Sequence, residues 1–213
     1  MTGSPEAEFG AELVAALNAE LGADSPHLFT TSRVRPAGGS VSLADGRSRV
    51  SVLSSGDTYL LTFLREDRRW AHGATQDMRL LAPAARAWLA GTGLEEMAAR
   101  WPFVEFSELQ LAYERGDALE TQWRLVRQGG SDPYREVVEL AAENPTVSRF
   151  FPALGHNFLV QPGPFDSRIL ASVAVQTPGR FRLWTPHAEE PLAEGDATSV
   201  IAALAELLNS LEG

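Results

Sequence analysis

The stretch VSVLSSGDTYLLTFL, residues 50–64, decides the fold class of this chain. Its apolar runs, residues 50–53 and 59–64, are separated by the turn residues Ser55, Gly56 and Asp57. Two such runs joined by a short polar turn are typical of a β-hairpin, in which neighbouring strands are antiparallel. The stretch therefore predicts an antiparallel sheet in the first third of the chain.

A second hairpin is predicted near the other end of the chain. Apolar residues alternate with others along residues 169–175, and Thr-Pro-Gly at 177–179 supplies a turn. The run that follows, residues 180–184, places Phe181 and Leu183 on one face and its two arginines on the other. This pattern is typical of a strand with one buried face.

Helices are predicted before, between and after these hairpins. Apolar residues recur at helical spacing over residues 6–21, with Gly22 as the stop, and again over residues 200–211. Short helices are expected between residues 76 and 143, the first of them capped by Thr75. The predicted fold class is α+β, with antiparallel β-hairpins at both ends of a helical middle.

The sequence predicts two halves. Residues 1–128 are predicted to form an N-terminal α+β half with central helices, and residues 129–213 a C-terminal helix-hairpin-helix half. The Gln-Gly-Gly-Ser run at 128–131 marks the boundary. We expect the two halves to pack as one compact unit.

The two hairpins can be overlaid as an internal repeat. Two sets of residues, each followed by a helix, match at an almost constant sequence offset. The first set is residues 50–52, Gly56, residues 59–61 and Gly73, and the second is residues 173–175, Gly179, residues 181–183 and Gly195. A duplicated hairpin-helix unit explains this match. Chance explains it as well, because hairpin-plus-helix is a common unit.

Composition excludes several classes of partner. The 18 basic and 28 acidic residues give a net charge of −10, whereas a nucleic-acid-binding protein normally carries a basic stripe and an anionic membrane surface repels an acidic chain. The N-terminus lacks a signal-peptide pattern and no apolar run reaches membrane-spanning length. We therefore expect a cytoplasmic protein with no nucleic-acid or membrane partner.

The cysteine, histidine and glycine patterns of the sequence predict that the chain binds no metal and no other cofactor. Cysteine is absent, which excludes disulfides, thiolate metal sites and cysteine nucleophiles. The four histidines, His27, His72, His156 and His187, include no pair at the spacing of one helix face. Glycine-rich phosphate loops are missing too.

Candidate catalytic and binding residues remain. His156 follows an apolar turn and is the candidate general base, although its ring could equally cap a strand. The candidate binding residues are Tyr113, Arg115, Glu120 and Trp123. The competing interpretation is structural: Trp101, Phe103 and Trp123 anchor a core, Gly116 ends one helix and Asp117 caps the next.

The segment from Ala84 to Leu125 resembles an actinobacterial domain family of unknown function, whose members are labelled natural-product-biosynthesis proteins. The matching motifs are Ala87-Trp88-Leu89, Gly93-Leu94, Arg100-Trp101-Pro102-Phe103, Glu114-Arg115-Gly116-Asp117 and Trp123. The later Phe151-Pro152 and Gly155-His156 are similar to the family's proline-then-histidine segment, but the family has serine before the histidine. The resemblance implies pathway context and no particular reaction.

Three functions follow as alternatives. The first is an accessory protein of a natural-product pathway, such as one making a modified peptide, that binds a precursor or a partner enzyme from the same gene cluster. The second is a cofactor-free cyclase or isomerase acting on a small molecule of that pathway. The third is an immunity-type or chaperone-type binding protein. Whether the chain is an enzyme stays open from the sequence.

Overall fold

The computed structural model describes residues 5–22, 24–31, 40–129 and 133–212. The chain divides into two compact units, Met1–Glu114 (unit 1) and Arg115–Gly213 (unit 2). This division lies earlier than the expected boundary at 128/129. The reason is that Trp123 and Val126, which precede the Gln-Gly-Gly-Ser run, belong to the hydrophobic core of unit 2.

Unit 1 contains a six-stranded antiparallel sheet whose strands follow one another in chain order. Its elements are α1 (Pro5–Leu21), β1 (Thr30–Thr31), β2 (Ser40–Asp45), β3 (Ser48–Ser55), β4 (Thr58–Arg65), β5 (Arg68–Thr75), the 3₁₀ helix η1 (Met78–Leu80), α2 (Leu81–Leu89), α3 (Leu94–Arg100), β6 (Val104–Glu105) and α4 (Glu108–Arg115). The α+β class and the first hairpin are thereby confirmed.

The first hairpin has the register that its apolar pattern requires. Val50 lies opposite Phe63 and Val52 opposite Leu61, and all four side chains are buried. The turn between the strands places Gly56 at φ +60°, in the left-handed region that glycine adopts at little cost. Burial of this inner face fixes the register, since a slip by one residue would expose every one of these side chains.

In unit 1 one strand was not predicted, and one predicted helix cap was wrong. β5 was not expected, because Arg68, Arg69 and Trp70 break the alternation that signals a strand. Thr75 does not cap a helix: its hydroxyl accepts the N–H of Asp77, and Asp77 in turn caps η1 by accepting the N–H of Arg79.

Unit 2 contains a five-stranded antiparallel sheet, again with strands in chain order. Its elements are α5 (Ala118–Gly129), α6 (Arg135–Glu143), the 3₁₀ helix η2 (Val147–Arg149), β7 (Phe151–Leu154), β8 (Phe158–Gln161), β9 (Ala171–Thr177), β10 (Arg180–Trp184), β11 (Ala193–Gly195) and α7 (Ala197–Glu212). The second hairpin, β9–β10, and the closing helix are as predicted. Residues 130 and 131 of the predicted boundary lie outside the described residues.

The same succession of elements occurs in both units. Each has a helix, a five-stranded antiparallel meander and a second helix: α1, β1–β5 and α2 in unit 1, and α6, β7–β11 and α7 in unit 2. The registers equate β5 with β11, because Gly73 lies opposite Leu61 and Gly195 opposite Phe181. They also correct the sequence overlay, since Leu61 rather than Tyr59 takes the position of Phe181.

Each unit has its own hydrophobic core under one face of its sheet. Trp101 is buried in the core of unit 1, with Phe103 packed against it, and Trp123 is buried in the core of unit 2. Gly116 has a φ of +86° directly after α4, as a helix-ending glycine does. The structure thus places these aromatic side chains in or against the two cores and Gly116 at the end of α4.

Candidate functional site

A pocket of about 500 Å³ lies in unit 1 between the C-terminal ends of α1 and α2. We call it the α1–α2 pocket. It is lined by the end of α1 and the loop that follows, by β2 and by the end of α2: Leu21, Gly22, Asp24, Ser25, Pro26, His27, Leu43, Asp45, Arg86, Leu89 and Ala90. A concave, largely apolar site with a few polar groups is the usual form of a small-molecule or side-chain binding site.

The apolar part of the pocket is built on rigid elements. Leu21 and Leu43 are buried residues of α1 and β2, and Leu89 is a half-buried residue of α2. Arg86 of α2 donates from a guanidinium nitrogen to the carbonyl of Leu21 at 2.8 Å. This bond satisfies a carbonyl at the C-terminal end of α1 and ties together the two helices that form the pocket walls.

The polar part of the pocket is a histidine–carboxylate pair. His27 Nε2 lies 3.2 Å from Asp45 Oδ2, and the two side chains are 32% and 51% exposed. The Ser25 hydroxyl donates to the His27 carbonyl at 2.8 Å and so helps to fix the loop. A carboxylate beside Nε2 favours a proton on that nitrogen, which leaves Nδ1 of the neutral ring as a proton acceptor. The pair can bind a polar group or move a proton at the pocket edge.

The corresponding loop of unit 2 packs into the core of that unit. The loop after α6 folds into η2, whose Val147 is fully buried in the core, and the Thr146 hydroxyl lies 3.3 Å from Asn209 Oδ1 on α7. The loop of unit 1 that follows α1 instead contributes Asp24, Ser25, Pro26 and His27 to the lining of the pocket.

Of the predicted binding residues, the structure brings Glu120 and Trp123 together. Both line a groove of about 640 Å³ along α5, with Leu119, Arg124, Arg127, Gln128, Ala142 and Ser148. The indole N–H of Trp123 donates to the carbonyls of Ser148, at 3.0 Å, and Phe150, at 3.1 Å. Since Trp123 is also buried, its side chain holds α5 on the sheet and has no donor left for a ligand.

The other two predicted binding residues lie elsewhere. Tyr113 belongs to α4 of unit 1, where its ring centroid is 6.3 Å from that of Trp70. Burial raises the pKa of the Tyr113 phenol, and the positive charge of Arg68 acts in the opposite direction. Arg115 is the last residue of α4 and the first of unit 2. Neither residue lines the groove along α5.

His156, the predicted general base, is exposed in the turn between β7 and β8. Its backbone carbonyl accepts the hydroxyl of Tyr134 at 2.7 Å. This hydrogen bond fixes the turn through the main chain and leaves the role of the imidazole a prediction.

Glu114, which belongs to the motif of the resemblance, holds unit 1 together. Its Oε2 accepts the N–H of Leu94 at 2.9 Å, at the start of α3, and its Oε1 lies 3.5 Å from the guanidinium of Arg65. That guanidinium stacks over Trp88, with its central carbon 4.1 Å from the ring centroid. Glu114 thus caps a helix to which it does not belong and pairs a half-buried cation.

Neither a family model, nor a curated protein, nor a solved structure matches this chain. Across the described ranges, no three His, Asp or Glu side chains are grouped so that they could hold a metal ion. In the same part of the chain, no helix is both long and apolar enough to cross a bilayer.

Proposed function

We propose that this chain is an accessory binding protein of a natural-product pathway, and that the α1–α2 pocket receives an apolar group of a precursor or a partner enzyme. The observation that carries the proposal is the α1–α2 pocket itself, a cavity of about 500 Å³ that combines buried leucines with the His27–Asp45 pair. The pathway context comes from the resemblance of residues 84–125, and the binding role from the pocket.

The chemistry of the pocket matches such an occupant. The leucines at its base favour a branched aliphatic or aromatic group, because burying apolar surface contributes about 25 cal/mol per Å². His27, Asp45 and Arg86 at its edge offer donors and acceptors to a backbone amide or a small polar substituent. A side chain of a precursor peptide, with its flanking amides, has this mixture of groups.

Filling the pocket tests the proposal. Ala90 is an exposed residue that lines the pocket at the end of α2, and Ala99 is an equally exposed alanine of α3 outside it. We expect Ala90→Trp to weaken binding of purified precursors or enzymes encoded beside the chain at least tenfold by isothermal titration calorimetry. Ala99→Trp should bind as the parent does. The proposal fails if none of these molecules binds, or if both variants bind alike.

The His27–Asp45 pair favours a second candidate, the cofactor-free cyclase or isomerase. In that case Nδ1 of His27 would accept a proton from a substrate held against the leucines, and Asp45 would stabilise the resulting imidazolium. His27→Gln should then abolish turnover of the precursor while leaving its binding unchanged. If the variant binds more weakly and no turnover is seen with the parent, His27 is a binding residue only.

An immunity-type or chaperone-type protein would show a different signature. With a net charge of −10, the chain would bind a basic partner in a one-to-one complex whose association slows as salt is added. Binding that is indifferent to salt would exclude this form.

A further inference from the structure

The edge strands of the two sheets differ in how their free backbone groups are covered. The backbone N–H and C=O groups of a free edge strand can pair with another chain, so proteins usually cover them. Beside β1, the Asn18 side chain donates to the carbonyl of Phe29 at 3.1 Å and accepts its N–H at 2.7 Å. On β7, the Gln122 amide donates to the carbonyl of Pro152 at 2.8 Å. These two edges are blocked by side-chain amides.

The β5 edge is covered by a strand as well as by an amide. β6 pairs with β5 at His72 and Gly73, and the Gln110 amide donates to the carbonyl of Arg69 at 3.2 Å. The fit is close, because a Cβ on Gly73 would lie 2.6 Å from the carbonyl oxygen of Phe103. β5 therefore accepts a short extended segment whose Val104 is buried.

β11 is the strand of unit 2 that corresponds to β5, and in the described part of the chain it pairs with β10 alone. The positions equivalent to His72 and Gly73 are Glu194 and Gly195. No strand lies beside them in the described ranges, although their counterparts in unit 1 hold β6. The repeat thus shows what kind of segment fits this edge.

The backbone of β11 has a donor directed away from the sheet. The N–H of Leu192 donates to the Leu183 carbonyl on β10 at 2.8 Å. Ala193 is the residue that lies opposite Leu183, so its N–H is directed at β10, and the N–H of Glu194, the next residue, points away from the sheet. Beside it, the Leu192 side chain is 54% exposed.

The surroundings of this edge are acidic. Glu189, Glu190, Glu194 and Asp196 flank or belong to β11 and are all exposed. Arg182 neutralises one of them, because its Nε lies 2.9 Å from Glu194 Oε1. A segment with basic residues at its ends complements the remaining charge.

We propose that β11 is a docking edge for an extended segment of a partner protein, which adds to the sheet beside Ala193–Gly195 as β6 adds to β5. The segment carries an apolar side chain that packs on Leu192 and Lys or Arg residues at its ends. Main-chain hydrogen bonds supply the affinity, and the apolar and basic side chains supply the specificity. The site belongs to unit 2 and is independent of the α1–α2 pocket.

Hydrogen exchange on the free chain gives the first test. The amide of Glu194 should exchange nearly as fast as in an unstructured peptide, whereas that of Ala193, directed at β10, should be protected. A protected Glu194 amide in the monomer would show that the edge is already occupied and would overturn the proposal.

Peptide selection gives the second test. Random 12-residue peptides displayed on phage are selected against the full chain, and the selected sequences are synthesised. We expect an apolar centre with basic ends, protection of the Glu194 amide on binding, and weaker binding in higher salt. Failure to recover such peptides, or binders that leave the Glu194 amide unprotected, would count against the proposal.

Matched variants locate the contact. Glu194→Pro removes the outward N–H and should weaken peptide binding at least tenfold, while Glu194→Asp retains the N–H and the charge and should bind as the parent does. If Glu194→Pro does not fold, peptides N-methylated at alternate amides on one edge or the other replace it, and only one of the two sets should bind. Equal binding of both sets overturns the proposal, as does a dimer of the chain that Glu194→Pro abolishes, since the occupant is then a second copy.

Discussion

Removal of the Glu114 carboxylate tests how unit 1 is held together. Glu114→Ala takes the acceptor from the Leu94 N–H, and a lost cap of this kind costs about 1 kcal/mol. It also leaves Arg65 without its carboxylate. Both side chains are less than a quarter exposed, and a hydrogen bond to a charged group contributes about 1.5 to 3 kcal/mol when well formed. At 3.5 Å this ion pair lies at the low end of that range, so we expect a loss of about 2 to 3 kcal/mol in the free energy of unfolding.

Glu114→Gln separates the two contributions. The amide oxygen can still accept the Leu94 N–H, so this variant should lose only about 1 kcal/mol. Glu12→Ala, at an exposed position of α1, is the control and should stay within about 0.5 kcal/mol of the parent. Urea unfolding followed by far-UV circular dichroism measures all three variants, and hydrogen exchange at residues 94–97 locates the effect at the start of α3.

The result that would refute this account is equal stability of the alanine and glutamine variants. The carboxylate would then contribute through its charge alone, and the N-terminus of α3 would need no cap from α4. If neither variant differs from the parent, the Arg65–Trp88 stacking holds the segment without Glu114.

Three further outcomes are expected. Trp123→Ala should lower the free energy of unfolding by about 3 to 5 kcal/mol, and Trp123→Phe should lower it by less. If Trp123→Ala has a normal melting temperature but has lost binding, the α5 groove is instead the ligand site. His156→Ala should fold like the parent, since only the backbone carbonyl of His156 holds Tyr134, and loss of partner binding or of a measured activity would assign a function to the ring. The pKa of Asp196 is lowered by its hydrogen bonds with the backbone and side chain of Ser199 at the start of α7. The ionised Asp196 therefore stabilises the fold at pH values above the ordinary aspartate pKa, and this stabilisation is lost as the pH falls through the lowered pKa. Acid unfolding of Asp196→Ser should depend less on pH below about 4 than that of the parent.

The strands that the sequence predicts are those with an uninterrupted apolar alternation. β3, β4, β9 and β10 each bury two alternate residues: Val50 and Val52, Leu61 and Phe63, Ala171 and Val173, and Phe181 and Leu183. β5 was missed for two reasons: Arg68, Arg69 and Trp70 break the alternation, and the turn before it contains no glycine, since Glu66 and Asp67 adopt its positive φ angles of 52° and 62°. β11 has only three residues, too few for a period to be recognised.

The α1–α2 pocket had no comparable signal in the sequence. His27 is in a loop and Asp45 ends β2, so the fold alone joins two residues that share no motif. The predicted binding residues were chosen because aromatic and charged residues are dense between Arg100 and Trp123. Much of that density serves packing and capping, as the roles of Trp123 and Glu114 show.

The chain order of the strands has a consequence for how the protein folds. Every ladder from β1 to β5 and from β7 to β11 joins strands that are neighbours in sequence, so each sheet can grow by one hairpin after another with short loops to close. β6 is the exception, because α2 and α3 separate it from β5. We expect a refolding experiment to show the two meanders forming first and the β5–β6 ladder last, with the His72 amide, opposite Glu105 of β6, acquiring protection from exchange after that of Leu61.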